Sequence, residues 1–100
     1  MRSEPADDWP FDQPRNCATI TTRQILDGLE PIVLVSHDAD DHGWQFIGSS
    51  GALMADARVV ALEEIVEVDP TVLDVADLPP GCQATRETVG SHWSRHQSLP

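Results

Sequence analysis

The chain has 100 residues, enough for one small domain and too few for two, and an apolar share of 40% that permits a modest core. Seventeen acidic residues face six arginines and no lysine, giving a formal net charge of −11. Such a field repels phosphates and anionic membranes, which argues against nucleic-acid and membrane roles and turns any macromolecular partner toward positive charge.

Residues 1–14 hold Pro5, Pro10 and Pro14 among Asp7, Asp8 and Asp12, and read as an extended acidic leader that Trp9 and Phe11 can pin to the domain. The first eight residues carry one arginine and three acids with no apolar stretch behind them. No signal peptide is expected, and the longest apolar runs fall far short of a membrane span, so the protein is read as cytoplasmic. Residues 17–20 alternate as a short strand. Thr21-x-x-Gln24 then matches a capping box that opens a short helix, with Ile25, Leu26 and Leu29 on its buried side and Gly28 closing it in a left-handed conformation.

Pro31 restarts the chain in extended form, and Ile32-Val33-Leu34-Val35 is continuously apolar and mostly β-branched, as suits the central strand of a sheet. A turn rich in aspartate leads to a returning strand over 44–48, which puts Trp44 and Phe46 on one face and Ile47 on the other. The small residues Gly48-Ser49-Ser50-Gly51 end it in a loop. Val59 and Val60 suit a brief strand, and Leu62, Ile65 and Val66 suit one face of a short helix that Asp69-Pro70 stops. The same pair can start a helical turn over 71–75, since Asp caps well and Pro is favoured at the first position. Leu78-Pro79-Pro80-Gly81 is a turn before a final strand over 82–88, and residues 91–100 read as a tail anchored by little besides Trp93. The expected fold is a single α+β domain over 15–90, a small, mainly antiparallel sheet packed against two or three short helices.

Asn16-Cys17 before a strand, the strand ending in His37-Asp38, Gly43-Trp44-Gln45-Phe46, Asp69-Pro70 with Val72 and Leu73, and Leu78-Pro79-x-Gly81-x-x-Ala84-x-Arg86 together carry a resemblance. The chain is similar, over about residues 15–95, to a small bacterial family of uncharacterised domains grouped with the immunity proteins of polymorphic toxin systems. The resemblance implies a binding role and not an enzyme, and it carries over no catalytic residue. The short apolar segment 52–57 and the acidic leader depart from the family pattern, which leaves the partner open.

Four motifs hold the residue types of a chemical site without completing one. Asp38-x-Asp40-x-His42-Gly43 begins like a calcium loop, but its fifth position is His42 and its twelfth is Ser49 where a bidentate Glu belongs. His92-x3-His96 has helical metal spacing; a third ligand such as His37 or an Asp would have to come from afar, and only then would a metal-dependent hydrolase follow. Ser36, Ser49 and Ser50 near His37 and Asp38 supply the types of a triad without a nucleophile elbow. Cys17 and Cys82 are too few for a zinc site and read as two small thiols in a reducing cell, with a bond between them left open. No catalytic residue, metal or cofactor is expected. Arg86 is expected to pair with a carboxylate such as Glu64 or Asp38.

The candidate site is the turn, with Asp38, Asp40, Asp41, His42 and Trp44 as partner-binding residues. Clustered carboxylates steer a basic protein partner, and Trp44 is either a core residue or an exposed anchor beside them. The rival reading is a small housekeeping domain with no dedicated partner, its acidity serving solubility alone.

Overall fold

A computed structural model describes residues 9–51 and 53–97. The strands are β1 (Ala18–Thr22), β2 (Leu34–His37), β3 (Trp44–Ile47), β4 (Ala57–Ala61), β5 (Cys82–Thr85) and β6 (Ser94–Gln97). Between them lie helices α1 (Arg23–Leu26) and α2 (Leu62–Val68) and two 3₁₀ helices, Met54–Asp56 and Pro70–Val75. The strands form one sheet in the order β4-β1-β3-β2-β5-β6, antiparallel throughout except for the β1–β3 pair. This is the small α+β fold expected, with the apolar strand β2 and its hairpin partner β3 at the centre.

Alternation divides the sheet into two unlike faces. One carries Val35, Trp44, Phe46 and Ala84, all at most 1% exposed, and these join Ile25 of α1, Leu62 and Ile65 of α2, and Val72 and Val75 of the second 3₁₀ helix in a single core. Phe11 joins it as well, at 5% exposed, so the part of the leader from Trp9 onward is packed on the domain; residues 1–8 lie outside those described. The opposite face carries Ile20, Gln45, Ser36, Gln83 and His96. Among the described residues, no helix contributes to that face the buried apolar side chains that α1, α2 and the second 3₁₀ helix give to the first.

Several local expectations change. β1 runs two residues beyond the expected strand, because Thr21 and Thr22 pair with Arg58 and Ala57 of β4. Thr21 Oγ1 donates to the Phe46 carbonyl at 2.7 Å, so it is not the cap of α1, and Thr22 at that position makes no side-chain capping bond. The one-turn helix ends as anticipated at Gly28, φ 75°: Leu29 N–H donates to Gln24 O and Gly28 N–H to Ile25 O, the paired bonds of a Schellman ending. That ending carries Leu29 off the helix and leaves it 69% exposed instead of buried.

The expected C-terminal tail is also partly a strand. β6 pairs residue by residue with β5, from Cys82↔Gln97 to Thr85↔Ser94. Asp69 caps the following 3₁₀ helix as anticipated, accepting from Thr71 N–H at 3.0 Å with Pro70 at the first position. Arg86 is buried, but its partner is Asp69, Nη2 to Oδ2 at 2.7 Å, and neither Glu64 nor Asp38. Its Nε–H donates to Ile32 O, Nη1 donates to Thr71 Oγ1, and the guanidinium lies 4.1 Å from the Trp93 ring centroid. One side chain thus ties β5, the entry to β2, the 3₁₀ helix and the segment before β6.

Candidate functional site

The β2–β3 hairpin brings the acidic turn to one end of the sheet. Asp38 N–H donates to Gly43 O at 2.8 Å, closing a turn in which His42 takes the left-handed conformation, φ 59°. Asp41 Oδ1 accepts the Gly43 amide at 2.9 Å, and Asp38 accepts from Ser36 Oγ at 3.2 Å and Gln45 Nε2 at 3.0 Å. The carboxylates are therefore oriented by their own hairpin. Asp38 and Asp41 share the wall of a hollow of about 230 Å³ with Ala18, Ile20, Gln45 and Val59. Asp40 is exposed on the turn and takes no part in that wall.

The register extends this hollow across the open face. Val59 opposes Ile20, Ile20 opposes Gln45, Gln45 opposes Ser36, Ser36 opposes Gln83 and Gln83 opposes His96, so these six side chains form one row over all the strands. Val59 is 71% and Ile20 40% exposed at one end of the row, and His96 is exposed at the other. The row grades from apolar through amide and hydroxyl to imidazole, with the two carboxylates along its border. Sequence reasoning missed Ile20, Val59, Gln45, Gln83 and His96 as a set. The signal was the alternation itself: once Trp44 and Phe46 are placed inward, Gln45 and its cross-strand neighbours must point outward.

The remaining turn residues face the other way. Trp44 takes the core alternative at 1% exposed: its ring stacks on His37 with centroids 4.0 Å apart, meets Phe11 edge-on at 5.1 Å, and its Nε1–H donates to Gln13 Oε1 at 2.8 Å. It is not an exposed anchor, because Phe11 and Gln13 of the leader close over it. His42 is exposed and borders a separate pocket with His37. Ser36 and His37, adjacent on a strand, point to opposite faces, and Ser36 bonds Asp38 instead of an imidazole, so they form no relay.

His96 lies on a strand, not a helix, so the helical spacing of His92 and His96 does not apply; His96 approaches Thr85 Oγ1 at 3.2 Å on the open face. Among the described residues, no three of His, Cys, Asp and Glu are grouped to hold a metal ion. Cys17 and Cys82 are free, half-buried thiols. No helix among the described residues is long and apolar enough to cross a membrane. Comparison of the chain with protein-family models, curated proteins and solved structures finds no match in any of the three.

Proposed function

We propose that this chain is a non-enzymatic binding module that docks a basic protein partner on the open face of its sheet. The observation that carries the reading is the shared hollow of Asp38 and Asp41 with exposed Ile20 and Val59. Oriented carboxylates raise the encounter rate with a cationic surface, and adjacent apolar side chains supply contact area that gains from losing water. The net charge of −11 supports the sign of the partner. The resemblance to immunity proteins supports a more specific form, in which the module occupies the basic cleft of a toxin in the cytoplasm of a bacterium. Trp44 has no direct place in this interface; it stiffens the hairpin from beneath.

The test begins with chemical cross-linking in the native host to recover the partner, followed by stopped-flow association of the purified pair. Asp38→Lys with Asp41→Lys should slow association by about tenfold or more at low salt and flatten its dependence on ionic strength. Val59→Asp should mainly speed dissociation. A partner whose binding is indifferent to all three substitutions does not use this face.

A further inference from the structure

The pocket bordered by His37 and His42 lies on the helix-covered side of the sheet, away from the docking face, and encloses about 420 Å³, within the range of small-ligand sites. Among the described residues, its walls include Asp12, Asp77, Pro79 and Pro80, and no arginine. His37 is 4% exposed, and its Nδ1 lies 2.7 Å from the Leu78 carbonyl oxygen. A carbonyl only accepts, so Nδ1 carries the proton of the neutral ring and Nε2 holds the lone pair. Among the described residues, that Nε2 is buried with no hydrogen-bond partner. The stack on Trp44 holds the ring in place.

A buried acceptor without a donor costs free energy that a bound N–H offsets, and this one is shut off from water, so it loses no hydration bond on pairing. The charge around it is negative. Asp77 shares its carboxylate with Arg95 at 2.9 Å, whereas Asp12 has no ion-pair or hydrogen-bond partner among the described residues. Rigid prolines and the aromatic stack give the pocket apolar walls that suit the flat or aliphatic part of an organic cation.

We propose that this pocket binds an organic cation bearing N–H donors, a guanidinium or alkylammonium group, with His37 Nε2 accepting one N–H and Asp12 supplying the counter-charge. His42, exposed and 6.2 Å from His37 ring to ring, is the wall residue that yields to admit it. The cation is either a free small molecule or the side chain of a peptide, and the chemistry recognised is the same.

The test is NMR of the full chain with ¹⁵N-labelled histidine, titrated with guanidinium ion, with N-acetyl-arginine N-methylamide, and with the neutral citrulline analogue of the latter. The expected result is a saturable shift of the His37 Nε2 resonance with either cation, and binding of the citrulline analogue weaker by about tenfold. Preference for the guanidinium ion marks a small-molecule site and preference for the capped arginine a side-chain site. Asp12→Asn, an exposed substitution, should weaken the cation by about three- to tenfold. Equal binding of the arginine and citrulline analogues, an unmoved Nε2 resonance, or no saturation overturns the proposal. Asp38→Lys with Asp41→Lys lies on the opposite face and leaves this titration unchanged, so the two sites stand or fall separately.

Discussion

Replacing Arg86 probes a side chain that bonds three segments of the fold together. The guanidinium donates to Ile32 O at 3.0 Å, Thr71 Oγ1 at 2.8 Å and Asp69 Oδ2 at 2.7 Å, its side chain is 1% exposed, and that of Asp69 is 12% exposed. Arg86→Ala leaves an unpaired carboxylate in a largely dry site, a change that costs about 3–5 kcal/mol where both partners are buried. Asp69 keeps its capping bonds from Thr71, which places the expected loss at the lower end, about 3 kcal/mol. For a domain of this size that lowers Tm by at least about 12 °C. Arg86→Lys retains a charge for Asp69 but loses the fork and the stack on Trp93, and should cost about half as much. Urea unfolding of both variants, with Asp69→Asn to complete a double-mutant cycle, measures these terms. A loss under about 1 kcal/mol for Arg86→Ala, or no coupling between Arg86 and Asp69, refutes this role of Arg86.

Trp44→Ala should cost about 3–5 kcal/mol in chemical denaturation, because the ring is core; a loss under about 1 kcal/mol contradicts that. Gly48→Ala would place a Cβ 2.5 Å from the Glu30 carboxyl carbon and push Glu30 off Ser50, which it now holds through an Oγ bond of 2.8 Å. The expected cost is about 1 kcal/mol, and it should vanish when Glu30→Ala is already present; additive losses would show that the clash is not with Glu30. The Asp56 carboxyl is held below its usual value of 3.8, chiefly by the hydrogen bond from Gln24, with Arg23 and Arg58 adding to it against some desolvation. A depressed folded-state value means a contribution fully present above pH 3.8 and lost as pH falls through the folded value, so Asp56→Asn should flatten the acid limb of the stability curve; an unchanged limb rejects the assignment.

What the sequence revealed of the fold came from strong local pattern. The apolar, β-branched run before His37 specifies a central strand, and Asp69-Pro70 specifies a capped helical start; both depend on neighbours in the chain. β6 was illegible because Ser94–Gln97 is polar throughout and becomes a strand only by filling the hydrogen-bonding edge of β5. The partner of Arg86 was missed for a related reason: Asp69 lies 17 positions away and reaches it only through the tertiary fold, an outcome that residue spacing does not encode. Of the turn, the acidic residues and the hairpin were evident, whereas the direction of each side chain was not. Trp44 was decided by Phe11 and Gln13, more than 30 positions away. The open-face row depended on the registers of five strand pairs at once.

Amide chemical-shift mapping with a short lysine-rich peptide tests the docking face directly. The account predicts shifts clustered at 18–20, 38–45, 59 and 83, falling off with added salt and lost in Asp38→Lys with Asp41→Lys. Shifts centred instead on the acidic side of α2 around Glu64 and Glu67, or spread evenly over every carboxylate, would show that the open face has no preference for a basic partner and contradict the account.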